Sequence, residues 1–193
     1  MAVVWPCRQS IDGYIRAGRR VSVPALACPQ CRAVLASGGG YHRQLRWRNR
    51  RHLIWIQRGY CRRCNVSHAL LPDFVVANHL DTVDDIADAV QGLPTPLPAG
   101  TVAGWRRRYR NNTSALNAGI AAVVVAHGAW PNLRHSIAEK LAMLHSVLET
   151  RHQEDFPTPW RLLNVISGMS WIGHRVKSFW AGVGRVPITA RSP

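Results

Sequence analysis

Two cysteine pairs of the same spacing, Cys28-Pro-Gln-Cys31 and Cys61-Arg-Arg-Cys64, enclose the most informative part of this sequence. A Cys-x-x-Cys turn brings two sulfur atoms close enough to occupy two corners of a tetrahedral zinc site. Two such turns supply four thiolates, which fill the coordination shell and leave no position for a catalytic water. The spacing therefore predicts one structural Zn²⁺ per chain, bound by Cys28, Cys31, Cys61 and Cys64. A redox-active pair is the weaker alternative, because no βαβ pattern surrounds either pair.

The 29 residues between the pairs, 32–60, predict a β-hairpin. After a run of three glycines, polar and apolar side chains alternate from Tyr41 to Trp47, as in a half-buried strand. Asn49-Arg50-Arg51 is the expected turn, and the strand formers of residues 53–56 make the second strand. A hairpin between two such cysteine turns is typical of a zinc ribbon.

Two other residues near the ribbon have simple interpretations. His68 lies four residues after Cys64 and could replace a cysteine as a ligand, although a surface or hydrogen-bonding histidine is the favoured interpretation. Cys7 stands alone before the ribbon and is interpreted as a spare thiol.

Arginines and aromatic residues alternate along this hairpin. On a small β-scaffold, this combination suits phosphate contact together with stacking or groove insertion. The alternative is that the aromatic residues form the core of the ribbon while the arginines are only solvated. Both interpretations hold if the aromatic residues and the arginines lie on different faces of the strands. The hairpin arginines expected to contact DNA are Arg43, Arg46, Arg48, Arg50, Arg51 and Arg58.

The composition also favours a polyanionic partner. The chain has 193 residues, 47% of them hydrophobic, which is enough for one or two small domains with a core. Its formal net charge is +15, from 25 basic and 10 acidic residues, and nearly all the basic residues are arginines. Guanidinium groups pair with phosphates and with guanine edges. A codon bias is the alternative, but it does not explain the shortage of acids.

Residues 76–112 predict a segment like a helix-turn-helix. Asp81 or Thr82 can cap a short helix that ends near Gly92, and a second helix begins near Thr101. The second helix of such a motif enters the major groove, although a basic helix lying on the phosphate backbone is the alternative. Its expected DNA contacts are Thr101, Arg106, Arg107, Arg108 and Arg110, with Arg107 assigned to a guanine because it lies opposite the apolar face.

Residues 113–193 predict a helical C-terminal region. The expected helices are Thr113–Gly128, a leucine stripe from Leu133 to about Gln153, and Trp160–Gly168. The stripe is interpreted as core, and a homodimer seam is the alternative. With residues 1–24 as an N-terminal extension and 25–75 as the ribbon, the chain predicts an α+β fold, a small β zinc ribbon followed by a mostly α-helical region.

Several of these motifs resemble a known family. The two cysteine pairs, Gly40-Tyr41-x-Arg43 and the segment from Ser67 to Phe74 are similar to the N-terminal zinc ribbon of bacterial transposases and of an uncharacterised family linked to mobile elements. Thr101-Val102-x-x-Trp105-x-Arg107 and the Trp160–Gly168 stretch resemble later parts of that family. The resemblance covers roughly residues 25–170 and implies DNA binding linked to mobile elements.

A catalytic set is not expected beside these motifs. Strand transfer needs a carboxylate triad on an RNase H-like sheet to hold two divalent ions. After residue 112 the only acids are Glu139, Glu149, Glu154 and Asp155, on or just beyond one predicted helix, and the remaining 81 residues are too few for that fold. We therefore expect a non-enzymatic protein of the cytoplasm, at the bacterial nucleoid, with no membrane-spanning segment.

The leading functional hypothesis is a zinc-stabilised protein that binds double-stranded DNA as a regulator or accessory factor of a mobile genetic element. A transposase or integrase would then be a second partner. The alternative is a catalytically inactive transposase fragment or adaptor whose helical tail binds a protein. RNA binding by the ribbon also stays open, because arginines and aromatic residues suit single strands.

Overall fold

The computed structural model describes residues 2–126, 136–152 and 157–167. Within them it confirms the predicted α+β fold, with one four-stranded sheet of order β1-β4-β3-β2 and five α-helices. The strands are β1 Ala2–Trp5, β2 Ala36–Trp47, β3 Arg50–Cys61 and β4 Val66–Pro72. The helices are α1 Ile11–Ala17, α2 Val83–Gln91, α3 Ala99–Ala126, α4 Ile137–His152 and α5 Pro159–Ser167. No helix among the described residues is long and apolar enough to cross a membrane.

The predicted hairpin is formed by β2 and β3, which pair antiparallel from Trp47↔Arg50 onward. Its turn is shorter than predicted. Only Arg48 and Asn49 lie between the strands, and the predicted turn residues Arg50 and Arg51 already belong to β3. Both turn residues have positive φ, 50° and 60°, as in the two-residue turns whose twist matches that of the flanking strands.

The glycine run lies inside β2, and it has a steric reason at Gly40. A Cβ atom on Gly40 would lie 2.4 Å from the Trp55 ring and 2.5 Å from the Ile56 carbonyl oxygen. Since real side chains never approach this closely, only glycine lets the Trp55 ring lie across β2. The pairing of β2 with β3 also shifts between Ser37 and Gly40, which marks a β-bulge.

The first 24 residues, treated above as an N-terminal extension, contribute to the same core. β1 pairs parallel with β4, with Ala2 opposite Ala69 and Trp5 opposite Pro72. In α1, the buried Tyr14 donates its hydroxyl to the Trp55 carbonyl at 2.8 Å. Short apolar strands without alternation are easily missed in a sequence, particularly when their partner is more than sixty residues away.

The predicted short helix is present as α2, and Thr82 is its N-cap, accepting from the amide of Asp85 at 3.1 Å. The next helix differs from the prediction. α3 begins at Ala99, so Thr101 lies in its first turn, and α3 continues without a break to Ala126 across the predicted boundary at residue 112.

Polar residues at the predicted boundary bond within α3. The Asn112 amide donates to the Arg108 carbonyl at 3.0 Å, and the Thr113 hydroxyl donates to the Tyr109 carbonyl at 3.0 Å. Asparagine and threonine have low helix propensity. Tertiary packing of Trp105 and Leu116 outweighs that preference.

The C-terminal helices form the core, as the apolar stripe predicts. Ile137, Leu141, Leu144 and Leu148 of α4 are all buried, while the predicted Leu133 and Gln153 lie outside the described residues. α5 is more enclosed than its pattern predicts, because every side chain from Trp160 to Ser167 is buried. Gly168, the predicted end of this helix, also lies outside the described residues.

Candidate metal centre and basic surface

The structure brings the four predicted cysteines together. Their sulfur atoms all lie within 4.8 Å of one another, although the two pairs are separated by a whole hairpin in the sequence. The Sγ atoms of Cys28 and Cys64 are 4.0 Å apart, and those of Cys31 and Cys61 are 3.4 Å apart. A tetrahedron with Zn–S bonds of ~2.3 Å has sulfur–sulfur edges of about 3.8 Å. The cluster therefore has the size of a four-thiolate metal site.

The two cysteine turns share a left-handed residue directly after the second cysteine, although their hydrogen bonds differ. In the first, the Cys28 amide donates to the Ala33 carbonyl at 2.8 Å and the Arg32 amide donates to the Cys28 carbonyl at 2.9 Å. In the second, Cys61 ends β3 and its sulfur accepts from the Cys64 amide at 3.4 Å. The residue after each turn, Arg32 or Asn65, has a left-handed φ of 64° or 55°. These bends point the paired thiols at one another.

The cluster is partly enclosed, with Cys28 and Cys61 buried and the other two half-buried. The hydrogen bond with Cys31, followed by burial, raises the pKa of the Cys64 thiol to about 12. Four thiols this close resist deprotonation because the thiolates repel one another, and a bound cation removes that repulsion. The donor set of four sulfurs in a tetrahedral arrangement fits a soft or borderline metal such as zinc.

His68 contacts this cluster from β4. It is completely buried, and its Nε2 atom lies 3.6 Å from the sulfur of Cys28. The interpretation as a hydrogen-bonding histidine fits this position, whereas a surface histidine does not. Burial lowers the pKa of His68, which favours the neutral ring that can donate one N–H to a thiolate.

Not every hairpin arginine is available for a partner. Arg43 is half-buried, and its guanidinium donates to the carbonyls of Val76 and His79. Burial lowers the pKa of Arg43, and these two carbonyls replace the water that it has lost. Arg43 therefore holds the segment after β4 against the hairpin, and its DNA contact stays a prediction.

Asp81 joins the hairpin to α3. Its Oδ1 atom pairs with Nε of Arg46 at 3.3 Å, and its Oδ2 atom accepts from the Trp105 indole at 3.0 Å. The side chain is only 6% exposed, so both contacts are made away from water. The carboxylate suggested above as a helix cap thus connects β2 with α3, and nothing in the local sequence indicates this role, since Trp105 is 24 residues away.

The arginines of α3 divide into two sets. Arg106 donates to the Ala89 carbonyl at the end of α2 at 2.7 Å, so it helps to hold α2 against α3. Arg108 stacks over the Trp105 ring at 5.1 Å and lies 3.2 Å from Nε2 of His79. Arg107 and Arg110 are exposed and form no ion pair with a described residue. Thr101 is half-buried in the first turn of α3.

The remaining hairpin arginines lie on the surface. Arg48, Arg50, Arg51 and Arg58 are all exposed, with Arg58 lying over the Tyr41 ring at 5.3 Å. Arg46 is different, because it is half-buried and paired with Asp81. The structure therefore places exposed guanidinium groups on two elements, the β2–β3 hairpin and α3, that meet at Asp81. We call the exposed arginines of these two elements the basic surface: Arg48, Arg50, Arg51, Arg58, Arg106, Arg107, Arg108 and Arg110.

A second group of charges, not predicted from the sequence, lies inside the protein. Arg161 of α5 binds Asp84 through two nitrogen atoms at 3.0 and 2.6 Å and lies 3.8 Å from the completely buried Asp73. Burial raises the pKa of Asp73 to about 7, and Arg161 opposes that rise. The sequence offers one sign of this charged group. Arg161 stands among apolar residues at the start of α5, and a buried charge needs a partner.

No curated protein and no solved structure is significantly similar to this chain. The family model described as "Domain of unknown function (DUF6431)" matches residues 28–109. The matched span begins at the first cysteine of the cluster and ends at Tyr109 in α3. It therefore contains all four cysteines, Asp81 and most of the basic surface, which makes this unit the part of the chain that is similar to that family.

Proposed function

We propose that this protein is a zinc-stabilised, non-enzymatic protein that binds double-stranded DNA, and that it acts as a regulator or accessory factor of a mobile genetic element. The basic surface supports the DNA binding most directly. Its exposed arginines lie on two elements that are connected through one buried carboxylate, so both can meet the same polyanion at once. The link to mobile elements rests on the resemblance of the ribbon and of Thr101–Arg107 to transposase-like proteins.

The distribution of acids strengthens the proposal. Seven acids have side chains that the structure describes, and only Glu139 is exposed. Asp81 and Asp84 are paired with arginines, and Asp73 is completely buried. The excess of arginine is therefore a property of the surface, where it produces a positive potential that attracts nucleic acid. A codon bias alone does not explain why two of these acids are buried and four are half-buried.

In this proposal α2 and α3 act as the helix-turn-helix and the metal cluster fixes the hairpin. Arg107, which is exposed, is the residue of α3 proposed to read a guanine. Zinc is the proposed metal because four thiolates suit its tetrahedral preference. We infer binding and not catalysis, because Asp81 and Asp84 are engaged by Arg46 and Arg161 and the carboxylate triad that strand transfer needs is not expected from the sequence.

The test of function is DNA binding measured by fluorescence anisotropy over a range of salt concentrations. With six or more phosphate contacts, we expect a log–log slope of about −5 or steeper, since each contact contributes about −0.9. Arg107→Ala should weaken binding to a selected duplex by about 1–3 kcal/mol. The matched control is Arg16→Ala on α1, which removes the same charge outside both elements. A flat salt response, or tighter binding to single-stranded RNA of equal length, would contradict the proposal.

A separate prediction concerns the metal affinity. We expect His68→Ala to weaken zinc binding by about 10–100-fold, because groups that donate to metal ligands usually contribute this much. A chromophoric chelator in competition with the folded protein measures the change. His68→Gln is the control, since it keeps an N–H donor and should lose less. Equal affinity in the wild type and in His68→Ala would contradict a donor role for this ring.

A further inference from the structure

The tip of the hairpin has an unusual backbone for its sequence. Two-residue turns with positive φ at both positions strongly favour Asn-Gly, Asp-Gly or Gly-Gly. Here Arg48 occupies the first position with φ 50°, and Asn49 the second with φ 60°. Asparagine tolerates the left-handed region, whereas arginine rarely adopts it. The tip thus carries a residue that its own backbone disfavours.

Contacts within the described chain do not account for this residue. The guanidinium of Arg48 is 3.5 Å from Asp12, but the two side chains are 72% and 40% exposed. Ion pairs this exposed contribute little stability, because water and salt screen them. Arg48 also stacks over the Trp47 ring at 4.2 Å, and 72% of its side chain stays exposed to a partner. An exposed arginine at a position that the backbone disfavours points to a contact with a partner.

The neighbouring arginines extend from both sides of the tip. Arg50 is opposite Trp47 in the hairpin and Arg51 is opposite Arg46. Successive residues of a strand point to opposite faces, so Arg50 and Arg51 lie on the two sides of the ribbon. Both are exposed and form no ion pair with a described residue. One guanidinium therefore lies at the tip, with one more on each side behind it.

This arrangement matches the shape of the minor groove. The groove is about 6 Å wide and has a phosphate backbone on each rim, so a single side chain can enter it but a whole hairpin cannot. Narrow A·T-rich grooves have an enhanced negative potential that attracts inserted arginine. Arg46 is two residues before Arg48 and shares Asp81 with Trp105 of α3, so the hairpin tip and α3 can contact the same duplex.

We propose that the hairpin tip reads the minor groove of A·T-rich duplex DNA, with Arg48 inserted between the strands and Arg50 and Arg51 on the opposite phosphate rims. This rests on the proposed DNA binding and adds a second, separate contact to that of α3. Guanidinium is the fitting group because it is planar and more weakly hydrated than an ammonium group, so it enters a narrow groove at lower cost.

The experiment compares two duplexes of equal length, one with a central A-tract and one G·C-rich, in binding to the full chain with zinc. The wild type should prefer the A-tract by about tenfold, and a ligand that fills the minor groove should abolish this preference. Arg48→Gly should lose the preference while its Tm stays equal to or above that of the wild type, because glycine suits the positive φ. If Arg48 had only a structural role, a variant that keeps its Tm would also keep the A-tract preference.

Asn49→Gly is the matched control, since it relaxes the same turn and removes no guanidinium, and it should keep the preference. Arg48→Lys keeps the charge, and it should lose most of the preference even if Arg48→Gly proved unstable. The inference is overturned if the wild type binds both duplexes equally, if either Arg48 variant keeps the preference, or if Asn49→Gly loses it as well. Failure of the wild type to bind any duplex would instead overturn the proposed function itself.

Discussion

Removal of the proposed zinc from the full chain is expected to unfold the ribbon and to destabilise the whole sheet. Binding of structural zinc to four thiolates contributes about 10–16 kcal/mol, which is as large as the ~5–15 kcal/mol stability of a typical domain. The strands that carry the second cysteine turn, β3 and β4, continue into the core at Ile54 and Leu71. Loss of the site should therefore destabilise the core as well as the two cysteine turns. Circular dichroism and tryptophan fluorescence during chelator titration measure the effect.

The matched pair of variants is Cys61→Ser and Cys7→Ser. Both remove one buried thiol, but Cys7 lies outside the cluster, where burial raises its pKa to about 11. Elemental analysis should find about one zinc per chain in the wild type and in Cys7→Ser, and almost none in Cys61→Ser. Freshly purified wild type without zinc, or an unchanged Tm in Cys61→Ser, would contradict the metal site.

The second large effect is expected at Arg161. Its side chain is 9% exposed, it binds Asp84 through two nitrogen atoms, and it is the cation nearest to the buried Asp73. Truncating one partner of a buried pair leaves an uncompensated charge and typically costs 3–5 kcal/mol. We expect Arg161→Ala to lower the free energy of unfolding by about that amount in urea titrations. The exposed Arg107→Ala should change it by less than about 0.5 kcal/mol.

The loss at Arg161 should also depend on pH. Burial raises the pKa of Asp73 to about 7 in the presence of Arg161, whose charge opposes the rise. Without Arg161 this pKa rises further, so the folded variant must keep Asp73 protonated at a pH where the wild type does not. The stability difference should therefore grow above pH ~7 and shrink below it. A difference that is constant from pH 6 to 9 would mean that Asp73 does not sense Arg161.

The sequence predicts the local features of this fold well and the distant contacts poorly. The spacing of the four cysteines locates the metal cluster, because the tetrahedral geometry itself requires that spacing. Thr82 and the apolar stripe of α4 are equally local signals, and the structure confirms both. Asp81 is different. Its partners come from β2 and α3, so its role depends on how those elements pack, which no window of sequence contains.

The arginines also show that the sequence predicts local features and misses distant contacts. Composition predicts a basic protein, but it does not tell which guanidinium faces the solvent. Arg43 and Arg50 both belong to hairpin strands rich in arginine, yet Arg43 donates to two carbonyls inside the protein while Arg50 is exposed. Burial of Arg43 depends on the segment of residues 76–79 that crosses β2. The chain therefore uses one residue type for two purposes, and only the packing separates them.

The enclosure of α5 imposes an order on folding during synthesis. The Asn164 amide donates to the carbonyls of Asp73 and Val75, which precede it by 91 and 89 residues. A ribosome adds ~5–20 residues per second, so Asn164 is synthesised about 5–20 s after the residues that carry those carbonyls. The four cysteines all lie within residues 28–64 and are complete much earlier. A metal bound there would thus be in place on the nascent chain first, and it would fix the turn between β3 and β4 before α5 emerges.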